Sequence, residues 1–530
     1  MIASRATSDA HETRIGLRNG VSRAALVAGV TLGPRGGVGL RRPWGGSMAR
    51  GTGLEVAAPA APEGPLERLG FRFALETARQ VERRTGDGTA TTLVLLAELF
   101  HEVVRWITSG ADPIEVRDSL RFAADEVDRR LARGAEPLDG AHGITDLATS
   151  ACAGDRRLGE AVATAVRRAG SCDGVQVARA DTPNDYLEGR VGHLFGGIAP
   201  HGGSVSGLSS GNWTVESPMV VVASGDLDPA GARQLVRSVG TDVQPILLIA
   251  PEQRLSGIDR SQAFRERPLI PLTTSRGEGA ADLLEDLATV TSGRPLLFRG
   301  ERGGGGAPAN PWIRAGAARR AHLTKRGLVI EPNAASGTQI EANRAALQRE
   351  LEDHADPDAL LGRLFRLAPT SVTVRLADAP ESEYSRRRDL AVRALRAVRG
   401  ASEAGVLPGG GAALFHAASE AGSPEGQGGV LRATRCVAAA AGAVIRRLAE
   451  NAGFDGRGVL EEVQAAGPPA HGFDVSTQQV RDLRGAGVLD AANVVRWSLR
   501  AAVATAELLL LTETVVGRGA DARLGEGLES

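Results

Sequence analysis

Flexible glycines, one carboxylate and a run of hydroxyls meet in the segment Thr85-Gly-Asp-Gly-Thr-Ala-Thr-Thr92. Gly86 and Gly88 allow a tight turn and a close approach of backbone to a ligand. Asp87 offers a hard oxygen ligand of the kind Mg²⁺ takes. Thr89 and Thr91, with the amides that would open a following helix, offer donors to phosphate oxygens. Such a turn would hold a magnesium-bound nucleotide without a P-loop. The same composition also makes an ordinary surface turn, and the motif by itself leaves both readings open.

The flanking pattern says what must position this turn. Leu66, Leu69 and Phe73 keep a helical spacing up to it, and Leu93, Leu96, Ala97, Phe100, Val104 and Ile107 follow the i, i+3, i+4, i+7 rule after it. Further helices are predicted over 15–30, with Val21, Ala24, Ala25 and Ala28 on one side, and over 116–131. The first ends at Gly33-Pro34, a strong breaker pair. Residues 43–64, rich in Gly, Ala and Pro, read as irregular.

From about residue 217 the pattern changes. Short apolar runs at 219–223, 246–250, 269–273 and 296–298 alternate with helical stretches at 228–239, 252–265 and 279–291, as in an α/β domain. Helices at 338–354 and 357–368 are expected to pair through Ala345, Leu347, Leu351, Leu360, Leu361 and Leu364. The Gly303–Gly306 tract reads as a loop without the strand–turn–helix context of a phosphate site. Helices then dominate at 386–400, 411–421, 429–451 and 492–512. Two helical ends around an α/β middle suggest a discontinuous outer domain with an inserted one.

Composition narrows the class. A chain of 530 residues is too long for one core. With 42% hydrophobic and 24% charged residues it reads as globular, and a net charge of −1 gives no footprint for nucleic acid or an anionic membrane. Lys325 is the single lysine, so no glycine-rich loop here is a Walker-type P-loop. Three scattered cysteines, Cys152, Cys172 and Cys436, fit neither a disulfide framework nor a zinc site. The N-terminus mixes Arg5, Asp9, Glu12 and Arg14 without an apolar core, and no run approaches the ~18 apolar residues of a membrane span. A cytoplasmic location is the expectation.

Four segments together are more specific than any one: Thr31-Leu-Gly-Pro-Arg-Gly36, the Gly86–Thr92 turn, Gly409-Gly410-Gly411, and Gly487-Val-Leu-Asp490. In that order and spacing they resemble the group I chaperonins, the GroEL-like family. The stretches 284–293 and 400–411 agree, and the similarity runs colinearly over essentially the whole chain. The resemblance implies a multidomain α+β fold. A mainly helical equatorial domain would be built from 1–133 and 404–530, and a small intermediate domain from 134–188 and 372–403. An α/β apical domain would span 189–371. It further implies that Thr31, Leu32, Gly33 and Pro34 line the phosphates of ATP and that Asp87 holds Mg²⁺. Gly88, Thr89, Ala90 and Thr91 would cradle β/γ oxygens, Gly410 would lie by the ribose, and Val488 and Asp490 near the base.

The departures from that family fall on chemistry. Where it carries Lys-Asp-Gly this chain has Gly51-Thr52-Gly53, and its second catalytic carboxylate falls at Arg393. Neither Thr52 nor a permanently charged guanidinium acts as a base. Loss of a positioned base costs about 10²–10⁴ in rate, so hydrolysis is expected to be very slow unless Glu55 or Asp389 substitutes. A helical turn's displacement, about 5 Å, argues against the latter. On the capture face, Leu235, Val236 and Ile258 remain apolar, but Arg233, Ser261, Gln262, His201 and Gly202 thin the patch. Of two hinge positions, one keeps Gly189 and the other reads Pro369-Thr370.

Two functions follow as expectations. One is an ATP-binding chaperonin assisting unfolded polypeptides within a homo-oligomeric ring. The other is a non-hydrolysing chaperonin-fold scaffold, holdase or assembly partner that co-assembles with a regular paralogue. The thinned face argues against a co-chaperonin lid.

Overall fold

The helical periods flanking the glycine-rich turn become two long helices meeting at it. The computed structural model describes residues 10–36, 40–41, 49–50, 54, 57–138, 140–201, 213–223, 244–251, 269–274, 279–294, 315–324, 327–353, 357–421, 428–468 and 470–513. The chain divides into two compact units. One comprises 1–164, 179–184 and 376–530, the other 165–178 and 185–375.

The first unit is mostly helical. Its helices are α1 (Ala10–Gly29), α2 (Pro65–Thr85), α3 (Thr89–Thr108), α4 (Pro113–Gly134) and α5 (Gly140–Ala151). The next, α6 (Arg156–Ala169), begins in this unit. In the second unit lie α7 (Ala280–Val290), α8 (Gly337–Asp353) and α9 (Pro357–Arg366). The first unit resumes with α10 (Glu381–Ala404), α11 (Ala412–Glu420), α12 (Gly428–Asn451), α13 (Gly456–Ala466) and α14 (Ala492–Leu510).

Its core is knit from α1, α2, α3, α4, α12 and α14, through Leu17, Phe71, Leu96, Phe100, Leu120, Ile445 and Leu499 among others. The closest crossing is α1 on α2. A Cβ on Gly20 would lie 1.8 Å from the Glu67 carbonyl oxygen, and one on Gly70 2.1 Å from that of Leu17. Those two glycines let the backbones touch. Pro at the first position of α2 and of α4 starts each helix without losing a needed donor, and the Asp112 carboxylate caps α4 by accepting from the Ile114 and Glu115 amides.

The expected helices that fall within the described residues are present, with corrections of phase and count. In α2 the buried face is Phe71, Ala74, Leu75, Ala78 and Val81, while Phe73 is exposed. Both phases satisfy a 3.6-residue period, and the close approach of α1 selects one of them. Ala345 is exposed on α8, where Ile340 and Leu347 face the core instead. Helices α5, α6 and α13 lie outside the stretches expected to be helical. Among the described residues α12 is, by length and average composition, long and apolar enough to cross a membrane, although Arg432, Arg435, Arg446 and Arg447 interrupt it. In this structure its apolar residues, Val437, Ala440, Val444 and Ile445, are core.

The second unit is built on an eight-stranded mixed sheet. Its order is His193–Gly196, Gly327–Pro332, Gly316–Thr324, Met219–Val222, Ile246–Pro251, Leu269–Thr274, Ile198–Pro200, with Trp213–Glu216 also on Gly316–Thr324. The three apolar runs expected at 219, 246 and 269 lie parallel at its centre, Val220 opposite Leu247 and Ile270 also opposite Leu247. They are buried almost continuously, which is why they read as solid apolar blocks rather than alternating. A separate three-stranded sheet has the order Val175–Arg179, Thr370–Leu376, Tyr186–Val191, and places Gly189 opposite Val372. The helices read at 228–239 and 252–265, the run at 296–298 and the 303–306 loop lie outside the described residues.

Asp286, fully buried on α7, is clamped by Arg363 at 2.8 Å and Arg366 at 2.7 Å. Burial pushes its carboxyl up in pKa, and the two arginines only partly oppose that.

Candidate functional site

Four backbone turns of the helical unit open onto one cavity of about 570 Å³, a volume in the range of small-molecule sites. The first follows α1. Thr31, Leu32, Gly33 and Pro34 line the cavity, and Asn451 at the end of α12 pins this loop by donating to the carbonyls of Gly29 (2.8 Å) and Leu32 (2.9 Å).

The second turn is the Gly-Asp-Gly segment. Gly86 ends α2 at φ 77° and Gly88 caps α3 at φ 88°, both left-handed. A side chain would be strained at either position. It would also collide, because a Cβ on Gly86 would meet Arg396 Cβ at 2.6 Å and one on Gly88 would meet Ser498 Oγ at 2.8 Å. The turn is thus seated on α10 from one side and on α14 from the other. Asp87, Gly88, Thr89, Ala90 and Thr91 all line the cavity at the start of α3, where free amides and the helix dipole favour an anion. The Asp87 Oδ1 accepts from the Gly88 amide at 2.8 Å.

The third and fourth turns are joined by a short antiparallel pair, Val406–Pro408 with Leu489–Ala491, in which Leu407 faces Asp490. The Gly409 amide donates to the Val488 carbonyl at 2.9 Å, which brings Gly410 beside Val488 and Asp490, all three in the lining. Asp490 is half-buried there. Loss of water pushes its carboxyl up to about 7, the charge of Asp87 adds to this, and a hydrogen bond from the Gly410 amide opposes it.

The cavity also receives residues from α10. Asp389 and Arg393, one helical turn apart, both line it, and Arg393 Nε lies 3.8 Å from Asp87 Oδ1. Arg393 therefore faces the cavity rather than a solvated helix face. Thr52 and Glu55 lie outside the described residues, as do Leu235, Val236, Ile258, Arg233, Ser261, Gln262 and Gly202. His201 is half-buried at a sheet edge, its amide bonded to the Pro271 carbonyl.

Several lining residues go beyond those the sequence marks out. Ala153 and Gly154, both at positive φ, form a turn after α5 beside Pro34, and Asp146 lies under Gly487. Phe473, Asp474, Val475 and Ser476 close another side, with Asp474 accepting from the Ser476 amide and hydroxyl. The Asp474-Val-Ser476 spacing is an Asx-turn pattern and is the one signal available for them. Ser498 and Asn451 give none, since nothing in a helix interior marks which turn it will meet.

One carboxylate at a turn, joined by phosphate oxygens, is an ordinary way for Mg²⁺ to be held, and Asp87 has the chemistry for it but not the surroundings. The guanidinium of Arg393 at its side works against it. Among the described residues no three metal-ligating side chains cluster.

Comparison with known proteins concerns the chain and its fold. Residues 340–519 match the TCP-1/cpn60 chaperonin family. The chain is 29% identical to Chaperonin GroEL 1 of Mycolicibacterium gilvum (strain PYR-GCK) over 531 residues, covering 95% of this chain and 94% of that one. Its fold is similar to that of the chaperonin gp146 from bacteriophage EL, crystallised in the presence of ATP-BeFx. The TM-score is 0.64 at 18% identity, over 96% of this chain and 98% of that one. The match over residues 340–519 and the near full-length relative agree with the shared fold: the chain is similar to the GroEL-like chaperonins along its length and has their fold.

Proposed function

We propose that this protein binds ATP in the cavity of its helical unit and assists the folding of unfolded polypeptides as a ring oligomer, with hydrolysis slowed by the replacements at 52 and 393. The observation that carries this reading is the convergence of residues 31–34, 87–91, 410 and 488–490 on one cavity. Positive-φ glycine turns and a helix N-terminus suit the phosphates, and the apolar Val488 and Phe473 suit a base. Asp87 is the carboxylate to which the resemblance assigns Mg²⁺, an ion that would supply charge neutralisation at the phosphates, and Arg393 at its side opposes that assignment.

A base placed at 393 would need to take a proton from water. A guanidinium cannot, and Asp389 one turn earlier is the carboxylate of that helix that lines the cavity. Any residual turnover would fall to it, a helical turn of about 5 Å out of place, or to Glu55. The domain scheme is retained with this reading: equatorial 1–133 and 404–530, intermediate 134–188 and 372–403, apical 189–371. So are a cytoplasmic location and polypeptide capture through Leu235, Val236 and Ile258.

The proximity of Arg393 to Asp87 favours a second reading, a nucleotide-bound scaffold or holdase that co-assembles with a hydrolysing paralogue. Nucleotide titration, phosphate release and sedimentation velocity on the purified protein separate the two. Binding with slow turnover and a ring-sized particle supports the first. Binding with no turnover, and a large particle only when a regular chaperonin is added, supports the second. No nucleotide binding refutes both.

A further inference from the structure

The pairing of Arg393 with Asp87 has a consequence for how a polyphosphate would be neutralised. Asp87 is the carboxylate at the phosphate-facing turn, and its Oδ1 already has the Gly88 amide at 2.8 Å and Arg393 Nε at 3.8 Å. The placement of Arg393 is built into the packing. Arg396, one turn along α10, lies against Gly86 so closely that a Cβ there would be 2.6 Å from its own Cβ. That contact fixes α10 over the turn and presents Arg393 on the same side.

A divalent ion binding at Asp87 would have to share this carboxylate with a permanent cation tethered beside it, at a Coulombic cost. The guanidinium has five donors, more than Asp87 can accept, and its planar fork matches phosphate oxygens. Arg386, two turns earlier on α10, also faces the cavity and is compensated by Glu383 at 2.7 Å. The cationic element at the phosphate end is therefore supplied by the chain itself.

We propose that Arg393 replaces the divalent cation as the charge partner of a bound nucleoside polyphosphate, so that this pocket holds its nucleotide without requiring metal. This rests on the nucleotide reading above and deepens it. The Asp87–Arg393 pair opens toward phosphate as the ligand enters, and Asp87 orients the guanidinium rather than an ion.

The test is a titration of the full-length protein with fluorescent ADP and ATP analogues, in Mg²⁺ and again in EDTA. The dissociation constant of the wild-type chain should change by less than about threefold on chelation. In Arg393→Gln the EDTA arm should weaken by about tenfold or more, the loss of a charge-assisted phosphate contact, while the Mg²⁺ arm holds better. Mn²⁺ titration of the nucleotide-free chain, read by electron paramagnetic resonance, gives an independent measure. Wild type should bind Mn²⁺ weakly, and Arg393→Asp should gain a site. Wild-type binding that collapses in EDTA overturns this proposal and leaves the nucleotide reading standing. Tight Mn²⁺ binding by the wild-type chain also overturns it. Absence of binding in either buffer overturns the nucleotide reading and this proposal with it.

Discussion

Substituting Gly88 by alanine tests whether the phosphate-facing turn is seated as described. Two costs apply. Alanine at φ 88° pays for a left-handed conformation, about 1–2 kcal/mol. Its Cβ would also sit 2.8 Å from Ser498 Oγ and 2.9 Å from Val494 Cγ1, both on α14. Ser498 is fully buried, so relief requires α3 or α14 to shift, an overpacking cost of about 1–3 kcal/mol. The sum is about 2–5 kcal/mol.

Gly110 supplies an internal control. It has φ 98°, in the turn after α3, and a Cβ there would have nothing within 4 Å. Gly110→Ala should therefore show the conformational cost alone, about 1–2 kcal/mol. Urea unfolding followed by ellipticity gives the two values, and their difference of about 1–3 kcal/mol isolates the contact with α14. Adding Ser498→Ala to Gly88→Ala should recover part of that difference, because the two sites touch. Nucleotide affinity should fall at least about tenfold in Gly88→Ala, as the amides of 89–91 are displaced, and stay unchanged in Gly110→Ala. Equal unfolding costs for the two variants would refute the seating of the turn on α14. Full affinity in Gly88→Ala would refute the role of these amides.

Other outcomes are accessible with the same tools. Gly20→Ala, whose Cβ would lie 1.8 Å from a backbone oxygen of α2, should cost about 3 kcal/mol or more, because no rotamer change relieves it; Gly337→Ala, with open space around it, should cost nothing measurable in urea melts. Asp128 is hydrogen-bonded by Arg496 at 2.8 Å and Arg500 at 2.6 Å. Burial raises its carboxyl pKa, but those two hydrogen bonds outweigh it and the net shift is downward. Its contribution is thus present above the unfolded pKa of about 3.8 and lost as pH falls through the lower folded value. Asp128→Asn should cost about 2 kcal/mol at pH 7, less than a fully buried pair because both arginines are partly exposed, and the gap to wild type should close in acid melts below about pH 3.8. The double change Thr52→Asp, Arg393→Asp should raise phosphate release by about 10² or more if only the base is missing; no gain would place the defect elsewhere in the cavity.

Much of the site was legible because local chemistry decides it. Gly86, Gly88 and Gly410 are where a backbone must turn left-handed, Asp87 and Thr89 sit at the start of an apolar-periodic helix, and each is recognisable within a few residues of chain. The parallel core strands were legible for a similar reason: burial on both faces leaves an uninterrupted apolar run such as Ile246–Ala250. Phase and partnership were not local. The 3.6-residue period of α2 is satisfied by Phe73 as well as by Phe71, and only the approach of α1 at Gly20 and Gly70 buries one and exposes the other. The resemblance marks Arg393 as the place of a lost carboxylate, but the helix pattern alone does not say which way it faces; the contact of Arg396 with Gly86, far away in the chain, turns it toward Asp87. Asn451 and Ser498 acquire their roles only when α12 and α14 arrive behind the glycine turns. A sequence records what a residue can offer within one or two turns of its own helix, and the packing of distant backbones determines what it meets.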